Sequence, residues 1–313
     1  MSFFDRLEPY HVYPTDEFDI AREVFRRSVT QVEIELFSYC NRRCWFCPNE
    51  HIDRITHNEY MRPELYTSII SQLASIQFSG MITYSRYNEP LADRIILDRL
   101  REARAALPNA LLHTNTNGDY LDHDYLNELY DAGMRSLNIQ IYLKNHERYD
   151  HEKIIKRGEQ TLRRLNLPYV MTVNEPGVWY EMALQFKDMK IRLYGRNFEV
   201  NGTSRGNQVD IKKDYVRTLP CNIPFWNVYV DYNGKMVPCC NYRSDIAAHE
   251  EYILNDLNLQ PSIFLSYASS RAAAFRRSML TLEEKKGACS NCHFGLEELN
   301  SHRLNKIAST VAA

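Results

Sequence analysis

The sequence predicts an α/β fold: an incomplete barrel of parallel strands over residues 30–205, followed by a small α+β segment over residues 206–300. Three observations predict it. Strand-like and helix-like stretches alternate at short intervals up to about residue 205, which implies parallel pairing through right-handed crossovers. About six such units fit, fewer than the eight a closed barrel needs. The strands are apolar on one face and polar on the other, whereas a closed barrel fills its interior with branched apolar side chains. The pattern implies an open, polar-lined channel.

An N-terminal extension, residues 1–29, precedes the first strand at 31–37, where Val32, Ile34 and Leu36 share one face and Glu33 and Glu35 the other. Residues 62–77 read as a helix: Pro63 suits a first turn, and Leu65, Ile69 and Leu73 recur every four residues. A strand at 81–87 leads to an amphipathic helix at 91–107, stopped by Pro108. A strand at 110–115, a helix at about 123–133, a strand at 136–142 and a helix at 146–166 follow. On the strand at 136–142, Leu137, Ile139 and Ile141 form the apolar face, and Asn138, Gln140 and Tyr142 the polar one. Strands at 169–173 and 190–195 complete the set, the second with Arg192 and Tyr194 on its polar face. Residues 301–313 form a C-terminal tail.

Composition narrows the function. With 44% hydrophobic and 25% charged residues, a chain of 313 residues can bury a real core. A formal charge of −2 gives no bulk attraction for nucleic acid or for an anionic membrane. No apolar run approaches the roughly 20 residues of a membrane span. The start MSFFDRLEPYHVYPTDEFD lacks the basic and apolar regions of a signal peptide, so the expectation is a cytoplasmic protein without nucleic-acid or membrane partners. Eight cysteines in a reducing compartment point to metal or redox chemistry rather than disulfides.

Three of those cysteines, Cys40, Cys44 and Cys47, stand in YCNRRCWFCPN, directly after the first strand. Three thiolates can hold three corners of a four-iron cube and leave the fourth iron open as a chemical site. No fourth ligand of zinc spacing is nearby, since His51 would have to reach across Pro48. The spacing Cys-x3-Cys-x2-Cys, with Phe46 before the last cysteine, closely resembles the signature of the radical S-adenosylmethionine (radical SAM) superfamily. That resemblance implies a partial (β/α)6 TIM-like barrel with the cluster loop after the first strand. It also implies that the open iron of a [4Fe–4S] cluster chelates S-adenosylmethionine, whose reductive cleavage yields a 5′-deoxyadenosyl radical that abstracts a hydrogen atom from substrate.

The same resemblance assigns further positions. Asn88 and Glu89 of YNEP take the place of the family's Gly-Gly-Glu turn; the glycines are missing, but the carboxylate for the amino group of S-adenosylmethionine is kept. Asn117 of TNTNG falls beside the cofactor, Asn138 and Gln140 face its ribose, Arg205 of NGTSRG pairs with its carboxylate, and Phe46 is the adenine-side aromatic. By position on the strand faces and the loop that follows, Glu33, Glu35, Lys144, Arg192 and Tyr194 are candidates for substrate contact or proton transfer, the alternative being solvated or paired charges.

The remaining cysteines are Cys221, Cys239, Cys240, Cys289 and Cys292. The stretch WNVYVDYNGKMVP reads as a hairpin turning at Asn233-Gly234, which brings Cys221 and Cys239 together. A helix at 261–280, opened by Pro261, leads to CSNC, which supplies Cys289 and Cys292. Two thiols from each element make a closed four-ligand site. This resembles the auxiliary iron–sulfur domains of radical SAM enzymes, SPASM in full and twitch in the shorter form, and implies a second [4Fe–4S] cluster. A zinc ribbon fits the spacing nearly as well. Cys240 is left over; its readings are a small half-buried residue beside a ligand, or a hydrogen donor to a substrate radical as in some radical SAM epimerases.

A cluster with no open iron suits electron transfer. The expectation is a radical SAM oxidoreductase acting on a polar small molecule, such as the alcohol of a sugar or aminocyclitol in natural-product biosynthesis. The auxiliary cluster accepts one electron, and an external donor such as flavodoxin or ferredoxin supplies the first cluster. Epimerisation or modification of a ribosomal peptide, and a zinc-binding protein without catalysis, are the alternatives.

Overall fold

The computed structural model describes residues 2–312. They divide into two compact units: one formed by the residues up to Val32, Arg62–Phe78 and those from Thr203 onward, the other by Glu33–Met61 and Ser79–Gly202. Ten strands are present among the described residues: β1 (Gln31–Ile34), β2 (Met81–Thr83), β3 (Leu111–Thr116), β4 (Ser136–Gln140), β5 (Tyr169–Glu175), β6 (Trp179–Phe186), β7 (Met189–Arg196), β8 (Asn227–Val230), β9 (Lys235–Val237) and β10 (Asn255–Asp256). The α-helices are α1 (Phe18–Ser28), α2 (Pro63–Ser75), α3 (Ile95–Ala106), α4 (His123–Asp131), α5 (His151–Leu165), α6 (Phe198–Asn201), α7 (Ile223–Trp226), α8 (Ile263–Ala268), α9 (Ser270–Ser278) and α10 (Ser301–Ala312).

In the unit that carries the three-cysteine loop, the strand order is β1-β2-β3-β4-β7-β6-β5. The pairs β2–β3, β3–β4 and β4–β7 are parallel. The two faces expected from the alternation stand in register: Asn115, Asn138 and Arg192 form one polar row, and Thr116, Ile139 and Leu193 the adjacent row. Helix α5 lies so close to this sheet that a Cβ at Gly195 would meet Ile154 Cγ2 at 2.4 Å.

The strand–helix rhythm stops at α5, earlier than the six units expected. Instead of another crossover, β5, β6 and β7 run antiparallel as a meander. The cause is local. Pro176 and Gly177 occupy the central positions of a turn closed by Val178 N–H donating to Glu175 O at 3.1 Å, and Gly177 takes φ +78°, the geometry of a type II turn. The alternation Tyr180, Met182, Leu184, Phe186 is the buried face of β6, a strand the sequence reading missed. Strand β7 then closes the parallel set beside β4. Helix α5 also starts later than expected, because Asp150 caps it by accepting from Lys153 N at 3.1 Å; this frees residues 143–150 as a loop.

The other unit holds the hairpin β8–β9, edged by β10. Its turn is wider than Asn233-Gly234 alone. Gly234 N donates to Asp231 O at 2.8 Å, Asp231 N donates to Lys235 O at 3.0 Å, and Gly234 takes φ +81° as the bulge residue. The helix expected at 261–280 is two helices. Ser269 has an extended backbone and its hydroxyl caps α9 by accepting from Ala272 N, breaking the run. The core here gathers Phe3, Phe4, Leu7, Phe225, Tyr229, Val237, Tyr242, Met279 and Leu280. No helix among the described residues is long and apolar enough to cross a membrane.

Candidate functional site

The loop from Cys40 to Cys47 follows β1 and is tied down by charges distant in sequence. Asp119, just past β3, accepts from Arg42 Nε and Nη2, both at 2.7 Å, from Asn41 Nδ2 at 2.9 Å and from Arg157 Nη2 at 3.0 Å. Arg42 Nη1 donates to Leu143 O at 2.9 Å, Arg43 N to Asn145 Oδ1 at 3.1 Å, and Trp45 Nε1 to Glu147 O at 3.1 Å, so the loop at 143–150 clasps the cysteine loop. The Arg148 guanidinium lies over the Trp45 ring at 3.9 Å. On the other side Cys40 N donates to Arg54 O at 3.0 Å. Cys44 is buried, and Cys40 and Cys47 are half-buried. Burial, then the nearby Glu89, pushes the Cys40 thiol up to about 12, and burial raises Cys44 further. Such thiols ionise only together with a bound cation, as ligands of an iron cluster do.

Glu89 follows β2 and is 2% exposed. Its carboxylate accepts from Leu91 N at 3.1 Å, Thr116 Oγ1 at 2.5 Å and Asn117 N at 2.7 Å, and burial pushes it up to about 7. Its own N–H donates to Tyr39 O at 2.8 Å, which fixes it beside the cysteine loop. Asn88 is buried; its Oδ1 accepts from Arg86 N at 3.1 Å, while its Nδ2 has no partner among the described residues. A buried carboxylate lacking a cation and a buried amide lacking an acceptor suit a zwitterionic amino acid such as the methionyl end of S-adenosylmethionine.

The other expected positions are placed as follows. Asn117 Nδ2 donates to Asn41 Oδ1 at 2.8 Å. Asn138 Nδ2 donates to Asn115 Oδ1 at 2.9 Å, and Asn115 Nδ2 to Ser85 Oγ at 2.8 Å, a relay across three strand ends. Gln140 accepts from the Tyr142 hydroxyl. The Phe46 ring stacks on Phe198 of α6, centroids 3.5 Å apart and planes within 3°. Arg205 belongs to the other unit, half-exposed, with φ +50°.

Of the candidates for substrate or proton contact, Glu35 is fully buried, and its Oε1 accepts from Arg54 Nη1 at 2.7 Å and Tyr87 N at 3.0 Å, the paired-charge alternative. Glu33 lies 3.7 Å from Arg86 Nη1. Arg192 pairs with Glu181 and sits over the Tyr194 ring at 4.4 Å, while Tyr194 stacks on Trp179 at 5.3 Å. Lys144 is exposed on the clasping loop.

The second cysteine set is also assembled. Cys221 is tied to the end of α9 by its N–H donating to Met279 O at 2.9 Å, Cys239 follows β9, and Cys292 N donates to Cys289 O at 3.2 Å. Arg217, 1% exposed, stitches the segments together by donating to Leu219 O at 2.9 Å, Cys292 O at 3.1 Å, Phe294 O at 2.5 Å and Pro220 O at 2.6 Å. Burial raises the Cys221 thiol to about 11 and the Cys289 thiol to about 12. Hydrogen bonding to Cys240, then burial, raises Cys239. Cys240 also acts electrostatically on Cys221 and Cys292, so it stands among these thiols rather than apart from them. Among the described residues no three His, Cys, Asp or Glu side chains converge on a single ion. That is compatible with cluster ligation, because a four-iron cube holds its corner sulfurs farther apart than one ion does. Sequence reasoning missed Asp119, Arg42, Arg54, Phe198 and Arg217; only Arg42 carried a signal, its place between two motif cysteines.

An incomplete α/β barrel with a three-thiol loop after its first strand, and a separate four-thiol site downstream, form the arrangement of a radical SAM domain followed by a SPASM-type iron–sulfur domain. The radical SAM superfamily model matches residues 34–167, and the iron–sulfur cluster-binding SPASM domain matches residues 221–293. These domains specify S-adenosylmethionine and two iron–sulfur clusters as cofactors. The chain is 35% identical over 106 residues to an S-adenosyl-L-methionine-dependent 2-deoxy-scyllo-inosamine dehydrogenase of Niallia circulans, covering 34% of this chain and 42% of that one. It is 29% identical over 147 residues to a GTP 3′,8-cyclase of Chlorobaculum tepidum, covering 45% and 42%. The chain thus spans about two fifths of the length of these curated relatives. In fold it resembles the crystal structure of BtrN in complex with AdoMet and 2-DOIA, with a TM-score of 0.58 and 21% identity over 80% of this chain and 87% of that one.

Replacing Cys44 by alanine removes one corner of the first site alone. The expected result after anaerobic reconstitution is loss of about four of eight irons per chain, counted by iron and sulfide assay. A full complement of iron would deny Cys44 its place as a ligand.

Proposed function

We propose that this chain is a radical SAM oxidoreductase that converts the alcohol of a polar small molecule, of the sugar or aminocyclitol class, to a ketone. The observation that carries this reading is the coexistence of a three-thiol loop, beside the buried Glu89 and Asn88, with a second buried set of thiols. Cys40, Cys44 and Cys47 hold the first cluster, and Cys221, Cys239, Cys289 and Cys292 the second, within a core of residues 30–205 and an auxiliary domain of residues 206–300. When bound, S-adenosylmethionine on the first cluster supplies a hydrogen-abstracting 5′-deoxyadenosyl radical, and the second cluster supplies an acceptor for one electron. Glu89 holds the cofactor's ammonium and Asn88 Nδ2 donates to its carboxylate; Asn117, Asn138 and Gln140 contact its polar groups, and Phe46, backed by Phe198, lies along its adenine.

The balance of the reaction is one hydrogen atom, one proton and one electron removed per alcohol oxidised. The polar row Asn115, Asn138, Arg192 suits a hydroxyl-rich substrate, and the similarity to an aminocyclitol dehydrogenase supports the class. The setting is cytoplasmic, with a flavodoxin or ferredoxin as electron donor. The test is anaerobic incubation of the reconstituted chain with reductant, S-adenosylmethionine and 2-deoxy-scyllo-inosamine or related polyols. The expected result is one ketone per 5′-deoxyadenosine. Recovery of a substrate epimer carrying solvent deuterium, with no ketone, would replace oxidation by epimerisation.

A further inference from the structure

Two side chains that follow the cysteine pair Cys239-Cys240 point at sulfur. Asn241, 3% exposed, reaches both halves of the second site: its backbone N–H donates to Cys239 Sγ at 3.4 Å and its side-chain Nδ2 to Cys292 Sγ at 3.5 Å. Tyr242 places its hydroxyl 3.2 Å from Cys289 Sγ. One residue therefore contacts a sulfur from the hairpin and a sulfur from the CSNC loop.

The orientation of the Asn241 amide is set from outside the cysteine segments. Thr203 Oγ1 donates to Asn241 Oδ1 at 3.0 Å. Thr203 Oγ1 itself accepts from Arg205 N at 3.4 Å, which leaves the Thr203 proton for Asn241 and turns the amide nitrogen to Cys292. The 203–206 segment is itself pressed against this residue: a Cβ at Gly206 would lie 2.8 Å from Asn241 O, and Gly206 O lies 2.9 Å from the buried His249 Nε2. A surface asparagine would have no such second layer.

We infer that Asn241 is a positioning residue of the second cluster: it spans the two ligand pairs and, through its sulfur contacts, sets how readily that cluster takes up an electron. This rests on the reading that a cluster occupies these cysteines. Taking up an electron adds negative charge that is shared by the sulfurs. Donors aimed at sulfur stabilise that form and raise the reduction potential. The buried Arg217, which binds the carbonyl of Cys292, adds a fixed positive charge with the same sign of effect.

The test is a redox titration of the reconstituted chain without substrate, followed by electron paramagnetic resonance, with S-adenosylmethionine added to separate the first cluster's signal. Asn241→Ala is expected to keep its full iron and to lower the equilibrium constant for reduction of the second cluster about tenfold, a midpoint about 59 mV more negative. Thr203→Val, which leaves every ligand and the amide in place, is expected to shift the midpoint in the same direction by less. Full iron with an unmoved midpoint in Asn241→Ala overturns the inference. If Asn241→Ala does not load its second cluster, Thr203→Val decides on the same readout: a negative shift supports the assignment and an unmoved midpoint overturns it. Ketone formation plays no part in this readout, so the substrate class can fail without touching it. Failure of the unsubstituted chain to load a second cluster would instead remove the reading beneath it.

Discussion

Replacing Arg54 by methionine is expected to destabilise the chain by about 3–5 kcal/mol, because it removes one member of a buried ion pair and leaves the other buried. Arg54 is 2% exposed and Glu35 is fully buried, with Nη1 and Oε1 2.7 Å apart. The same Nη1 donates to Ser38 O at 3.0 Å, and the same Oε1 accepts from Tyr87 N at 3.0 Å. Three segments meet there: the end of β1, the 54 loop and the turn before Glu89. Because Cys40 N donates to Arg54 O, the loss spreads to the first cysteine site, and Arg54→Met is expected to bind less iron as well as to unfold at lower denaturant. The double variant Glu35→Gln, Arg54→Met removes both charges and is expected to recover much of the stability, since replacing both members of a buried pair is far milder than removing one. If the single variant unfolds with the parent, or the double is no better than the single, the pair does not act as described.

The fate of Glu35 illustrates what the sequence can and cannot carry. Its alternation with Ile34 and Leu36 predicts the polar face of the first strand, but β1 ends at Ile34 and Glu35 lies buried just past it. Its partner, 19 residues on, lies in a loop with no periodicity to announce it. Asp119 is the same case at longer range, 77 residues from Arg42. Ion pairs between loops depend on where two chain segments come to rest, and no local spacing encodes that. The cysteine loops were legible for the opposite reason: ligand geometry demands close spacing within one segment, so the chemistry is written locally. The meander β5–β6–β7 lies between these extremes. Glu175-Pro176-Gly177-Val178 carried its turn signal openly, but the established strand–helix rhythm outweighed it. Ser269 likewise broke an expected helix through one capping hydroxyl, a signal that is local but easily lost in a run of good helix formers.

Glu89→Gln is expected to weaken binding of S-adenosylmethionine by about tenfold to hundredfold, the loss of one charge-assisted contact to an ammonium group. The unsubstituted carboxyl gives this prediction a pH signature. Burial raises Glu89 from 4.5 in ordinary surroundings to about 7, against the pull of three donors from Leu91, Thr116 and Asn117. Folded chain without cofactor therefore holds this proton over a range where unfolded chain has released it. The stability contributed by the protonated carboxyl is complete below pH 4.5 and declines as pH rises through about 7. The cofactor's ammonium favours the ionised form, so affinity is expected to climb across the same upper part of the range and to level off once the carboxyl is ionised. Calorimetric titration of the reconstituted chain with S-adenosylmethionine between pH 6 and pH 8 reads this climb. In Glu89→Gln the climb should vanish along with the affinity, because an amide has no proton to lose. Equal affinity in the two proteins, with no dependence on pH in either, would mean that the ammonium is held elsewhere, and that Glu89 serves only to tie Thr116 and Asn117 to the turn after β2.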